Sequence, residues 1–205
     1  MIEIITPAES TRLTTLDAVK ADLGITGSAS DDALGTLIDQ FSETIAAWCG
    51  RTFGLATVRE SRDITRLCDR RVILLERWPV ASVDSVSVTG IALAPADYVL
   101  DPAKGELRYR ASDGRLWLWP VGDSVITYRT GYALPGETDR TLPHDIERAC
   151  ILMVRSAWHG IGRNPALRSE ETAGVATFTY FAANGDALSL EAQALLSPYR
   201  SINVG

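Results

Sequence analysis

Two oily helical ribbons, one early and one late in the chain with a long strand-forming stretch between them, restrict the folds open to this sequence more than any other feature. In Asp31–Gly54, the residues Leu34, Leu37, Ile38, Phe41, Ile45, Trp48 and Cys49 return every three or four positions, which puts them on one side of a 3.6-residue turn. Asp31 and Asp32 suit the positive end of that helix's dipole, and Gly50 offers a left-handed stop with Arg51 at the negative end. The second ribbon, Ile146, Ala149, Cys150, Met153, Val154, Ala157 and Trp158, repeats the spacing. Pro143 suits its first helical position, Asp145 its first turn, and Gly160 closes it. Neither stripe is stable facing water, so the two are expected to meet. Leu34, Leu37, Ile38, Phe41, Ile45, Trp48, Ile146, Cys150, Met153 and Trp158 are then the bundle core.

The rest of the chain arranges itself around these ribbons. A short apolar start leads to a helix that Thr14 caps and Asp17 answers three residues on, with Leu16, Val19 and Leu23 as its stripe and Gly24 as its end. From Leu55 to Tyr132 the texture changes to short β-branched and aromatic runs: TVRESRDIT, RVILLE, SVDSVSV, DYVLD, GELRYR, RLWLW and SVITYRTGY. Pairs such as Thr89-Gly90 and Asp113-Gly114 punctuate them, so roughly six or seven antiparallel strands are expected. Residues 160–176 read as an exposed loop, Val175–Phe181 as a short strand, and Ser189 as the cap of a last helix that runs through Leu196 and stops at Pro198. The expected class is α+β: a small helical bundle with an inserted antiparallel β-rich domain. Its divisions are helices in 1–54, the insertion in 55–132, the returning helix, loop and strand in 133–188, and a final helix and tail in 189–205.

Composition narrows the function classes. A chain of 205 residues can bury a sizeable core as one large domain or two small ones, and 46% hydrophobic with 22% charged residues argues against disorder over most of it. A net charge of −6 gives no reason to expect generic phosphate binding. Cys49, Cys68 and Cys150 are odd in number, widely spaced and without a C-x-x-C, so neither a disulfide frame nor a zinc site is expected, and a reducing compartment fits. The opening MIEIITPAES lacks a positive start, and no run reaches eighteen apolar residues, so neither a signal peptide nor a membrane span is expected.

Convergent chemistry is scarce. His144 beside Asp145 could support a hydrolytic or nucleic-acid-processing enzyme drawing acids from the insertion, but a surface residue at a helix start is the ordinary reading of it. His159 matches the negative end of its helix. The sequence has no G-x-S-x-G and no G-x-x-x-x-G-K. Arg59, Arg62, Arg66, Arg70 and Arg71 form the one basic concentration, which could serve a DNA-binding module, although a solvated face or pairing with carboxylates is the ordinary reading of it. Trp117 and Trp119 share one face of an expected strand, where a core or subunit contact outweighs a base-stacking platform.

Six patterns in order carry a resemblance: LDAVKADLGI; DDALGTLIDQFSETIAAWCGRTF; LLERWPVASVDSVSV; DYVLDPAKGELR with WPVGDSVITYRTGY; LPHDIERACILMVRSAWHG; and LLSPYR. Together they span most of the chain, which resembles the head-tail connector (adaptor) family of tailed phages and gene transfer agents. The resemblance implies a structural protein rather than an enzyme, with no cofactor or metal. It implies a dodecameric ring of copies of the chain, seated between the portal protein and a tail-side stopper or head-closure protein. Its bore would let DNA pass without specific binding, in a virion or phage-like particle assembled in the bacterial cytoplasm, with no membrane partner. The family's C-terminal segment commonly reaches the portal, which here maps onto Ser189–Gly205, with Leu195, Leu196, Pro198, Tyr199 and Arg200 as the expected contacts.

Overall fold

A computed structural model describes residues 1–65, 70–160, 169–172, 176–179 and 188–201. The fold is α+β, and the chain forms two compact units. Met1–Thr11 joins Thr52–Thr141 in a sheet unit, and Arg12–Arg51 joins Leu142–Gly205 in a helical unit.

The sheet unit is built on period-two alternation. Its larger sheet has the order β1-β2-β8-β4-β5, with every neighbouring pair antiparallel: β1 (Ile2–Thr6), β2 (Ala56–Ile64), β8 (Gly122–Thr130), β4 (Val80–Val88) and β5 (Ile91–Leu93). Alternate residues Ala56, Val58, Glu60 and Ile64 of β2 are buried, as are Ser124, Ile126, Tyr128 and Thr130 of β8. The register sets Val58 opposite Tyr128 and Glu60 opposite Ile126. A smaller antiparallel sheet, β3 (Ile73–Leu74), β7 (Glu106–Tyr109) and β6 (Tyr98–Asp101), supplies Ile73 and Leu107 to the same core as Val58, Ile64, Ile126 and Tyr128. Trp119 completes that core, its indole N–H donating to the Leu107 carbonyl at 3.2 Å and its ring 5.5 Å from that of Tyr109.

One close approach in this unit requires glycine. Gly131 has φ +106, and a Cβ there would meet the Gly54 carbonyl and lie 2.8 Å from the Phe53 oxygen.

In the helical unit, α3 (His144–Gly160) packs on α1 (Leu16–Leu23), α2 (Asp31–Cys49) and α4 (Leu190–Leu196). Leu34, Ile38, Ile45 and Cys49 of α2 are fully buried, as are Ile146, Ala149, Cys150 and Val154 of α3, while Met153 is nearly so. Leu37, Phe41, Trp48 and Trp158 lie at the margin of the stripes and are half-buried. Polar bonds fix the registers between helices. Ser42 Oγ lies 3.7 Å from Cys150 Sγ and accepts the Leu13 N–H at 3.0 Å, and Arg148 meets Asp22 at 2.6 Å. Ser189 caps α4 by accepting from the Ala192 N–H, while its own N–H reaches Met153 Sδ at 3.4 Å.

Several expectations need correction. The apolar start is not a lead-in to the helices but strand β1, and Met1–Thr11 belongs to the sheet unit; its pairing partner β2 lies far along the chain, so no local signal announces it. Thr15, not Thr14, caps α1, because the Thr14 side chain is buried and donates to Glu147 at 3.3 Å instead. RVILLE contributes only the two residues of β3, the expected strand RLWLW is absent apart from one bridge between Arg110 and Leu116, and β5 was not expected. The loop reading of 160–176 fails at Ser169–Thr172, which forms strand β9 against β10 (Ala176–Thr179); its residues 161–168 and 173–175 lie outside the described residues.

Candidate functional site

The alternative enzyme pair does not converge on a pocket. His144 and Asp145 are both exposed in the first turn of α3, and among the described residues there is no group of three or more His, Cys, Asp or Glu side chains that could hold a metal ion. Cys49 and Cys150 are buried free thiols whose pKa values burial pushes up to about 11 and about 12, which makes them inert. Cys68 lies outside the described residues. No helix among the described residues is long and apolar enough to cross a membrane.

The arginine concentration disperses into the sheet unit. Arg59 pairs with Glu3 at 3.8 Å, Arg62 with the buried Glu60, and Arg70 Nε donates to the Trp119 carbonyl at 3.0 Å. Arg71 is exposed, and Arg66 is outside the described residues. Three of the five thus have partners within the sheet unit. A shallow cavity of about 380 Å³ on the smaller sheet is lined by Asp101, Lys104, Glu106 and Arg108 among others. Its acids are already held, Glu106 by Arg108 at 2.8 Å and Asp101 by Lys104 at 3.8 Å.

The C-terminal residues behave differently from one another. Leu196 is fully buried in the helical unit, on the side of α4 that it shares with Ala192. Leu195 and Tyr199 are half-buried, and Pro198 and Arg200 are exposed. A 3₁₀ turn, Ser197–Tyr199, returns the chain to the end of α2, where the Arg200 guanidinium lies 5.0 Å from the Trp48 ring centre and the Ser201 N–H donates to the Cys49 carbonyl at 2.8 Å. The tail therefore lies along its own bundle as far as Ser201 instead of leaving it.

What the sequence reading missed is an exposed apolar segment. Trp117 and Trp119, expected on one strand face, part company: Trp119 is buried and Trp117 is 59% exposed, together with Leu116, Leu118 and Val121. A signal was present, because Leu116 to Trp119 are four consecutive apolar residues, and no half-buried strand can hide all of them.

With that geometry established, comparison with known proteins decides the family. The sequence matches the head completion protein family over residues 12–202. The chain belongs to that family. No curated protein sequence matches it. Among solved structures, the fold is similar to a chain in the neck of an empty gene transfer agent (GTA) particle computed with C6 symmetry, at 21% identity and a TM-score of 0.56. It is also similar to chains in the neck of a native particle computed with C12 symmetry (18%, 0.58) and in the virion of a native particle (20%, 0.58). Each comparison covers 100% of this chain and 97% of the other. The family match agrees with the connector resemblance carried by the six sequence patterns, and the shared fold takes in both the helices and the sheets.

Proposed function

We propose that this head completion family member is a structural adaptor at the head-tail junction of a phage or phage-like particle, acting by assembly and not by catalysis. Copies form a ring between the portal and a tail-side stopper or head-closure protein, and the bore lets DNA through. The observation that carries this reading is the family match over 12–202, joined to a fold found along its whole length in particle necks computed with sixfold and twelvefold symmetry. A surface of net charge −6 supports the bore, since phosphates that meet carboxylates find no counter-charge to hold them. Leu195, Pro198, Tyr199 and Arg200 form the portal-docking face in this reading, presented by the folded-back tail rather than by a free arm.

The test is an image of the particle carrying a tag in the exposed turn at Thr89-Gly90. Tag density circling the head-tail junction is expected. Density on the capsid wall or at the tail tip, or particles without the tag, would overturn the proposal.

A further inference from the structure

Ten large hydrophobic side chains stand exposed among the described residues, and seven of them fall in two short segments of the sheet unit. Soluble proteins rarely leave such clusters uncovered unless something docks on them.

The first segment holds Leu116 (55% exposed), Trp117 (59%), Leu118 and Val121. Its backbone is fixed from behind: the Trp117 N–H donates to the Tyr109 carbonyl at 3.0 Å and the buried Trp119 donates its N–H to Arg70 at 2.7 Å. Trp117 is thus presented outward on a rigid support, the arrangement that makes an aromatic anchor effective at an interface. The second segment is β1 with the residue before it, where Met1, Ile4 (51%) and Ile5 (41%) are exposed. Among the described residues β1 pairs only with β2 and forms an edge of the five-stranded sheet, so its other side offers backbone groups that no described strand takes up, and the adjacent Ile4 and Ile5 make the edge apolar on both faces.

Their charges are opposite. Residues 108–121 carry Arg108, Arg110 and Arg115 against Asp113 alone; among the described residues neither the Arg110 nor the Arg115 guanidinium is ion-paired, and Asp113 accepts only the Arg115 backbone N–H at 2.9 Å. Residues 1–9 carry Glu3 and Glu9 and no basic side chain, and the Glu3 side chain is 64% exposed despite its contact with Arg59.

Resting on the ring reading, we infer that these segments are the two halves of one contact between successive copies: Leu116–Val121 of one copy lies on the β1 edge of the next, with Arg115 toward Glu3. Two different patches that mate in this way form a heterologous contact, and repeated rotation closes such contacts into a ring. Both halves pair an apolar centre with charge at the rim, which supplies affinity and orientation together.

The test replaces Trp117 with the photo-reactive p-benzoylphenylalanine in the full chain and irradiates assembled particles. A covalent pair of copies joined through residues 1–9 is expected, and Ile4→Glu in the same chain should lower its yield at least tenfold. An adduct with another particle protein, a pair joined elsewhere, or no adduct in particles that contain the chain would overturn the contact and leave the adaptor reading standing. Particles that lack the chain overturn both. The reciprocal variant, with the photo-reactive residue at Ile4, must join to 116–121; it decides the matter should the Trp117 variant fail to fold.

Discussion

The Tyr128 hydroxyl donates to Glu60 Oε2 at 3.0 Å, on a sheet face where both side chains are fully buried. The same carboxylate oxygen accepts the Glu76 N–H at 3.1 Å, Arg62 meets the other oxygen, and the Tyr128 oxygen accepts the Arg77 N–H at 3.3 Å. Both oxygens of a buried carboxyl group are thus engaged, and the segment before Pro79 is pinned to the sheet by the same network.

Glu60→Ala should be among the most destabilising single changes in the sheet unit. It removes the acceptor from Arg62, Tyr128 and the Glu76 amide at once, at a cost of about 3–5 kcal/mol. Tyr128→Phe should cost less, about 1–3 kcal/mol, through the Arg77 N–H left without its acceptor. Urea unfolding of both single variants and the double variant checks this. Simple addition of the two losses would show that the residues do not act as one network.

Gly131→Ala should cost about 3 kcal/mol, because a left-handed backbone and a collision with the Phe53 and Gly54 carbonyls combine. Gly114→Ala is the control: its φ is +80, but nothing lies within 4 Å of the added carbon, so only the conformational cost of about 1 kcal/mol remains. Thermal unfolding of the pair separates steric from torsional effects, and equal losses at the two sites would refute the collision.

Stability should fall as pH rises above 9. The Cys49 and Cys150 thiols stay protonated in the fold up to about 11 and about 12, whereas unfolded thiols ionise from about 9, so proton release favours the unfolded chain in that window. Below pH 9 the contribution is fully present. Tyr128, raised above its ordinary value of 10.0 by burial and then by Glu60, acts in the same direction at higher pH. Denaturation midpoints on either side of pH 9 measure the slope, and Cys49→Ala with Cys150→Ala should flatten its lower part.

Arg200→Ala should cost only about 0.5–1 kcal/mol, the worth of an exposed cation resting on Trp48. Deleting Ser197–Gly205 also removes the Ser201 N–H from the Cys49 carbonyl, a further loss of about 1 kcal/mol, and leaves the buried Leu196 in place. The truncated chain should therefore keep its helical circular dichroism and yet be missing from particles. Normal incorporation would remove the tail from the portal-docking face.

Local periodicity made the helices legible. Leu34, Ile38 and Ile45, or Ile146, Cys150 and Val154, specify a buried face through spacing alone, because a helix satisfies its own backbone within a few residues. Caps at Ser189 and stops at Gly24 and Gly50 followed from the same short-range chemistry. The sheet was legible in texture but not in pairing. Ile2–Thr6 becomes a strand only because Ala56–Ile64 receives it, Glu60 is buried only because Tyr128 and Arg62 converge on it, and Leu196 turns inward only because α3 is there. The candidate surfaces divide in the same way. The sequence marked the tail as apolar, but tertiary packing decided that it folds back onto Trp48, and tertiary packing also buried Trp119 while leaving Trp117 in solvent. A strand's hydrogen bonds lie outside itself, so its partner, its register and the fate of each side chain are settled by residues distant in sequence.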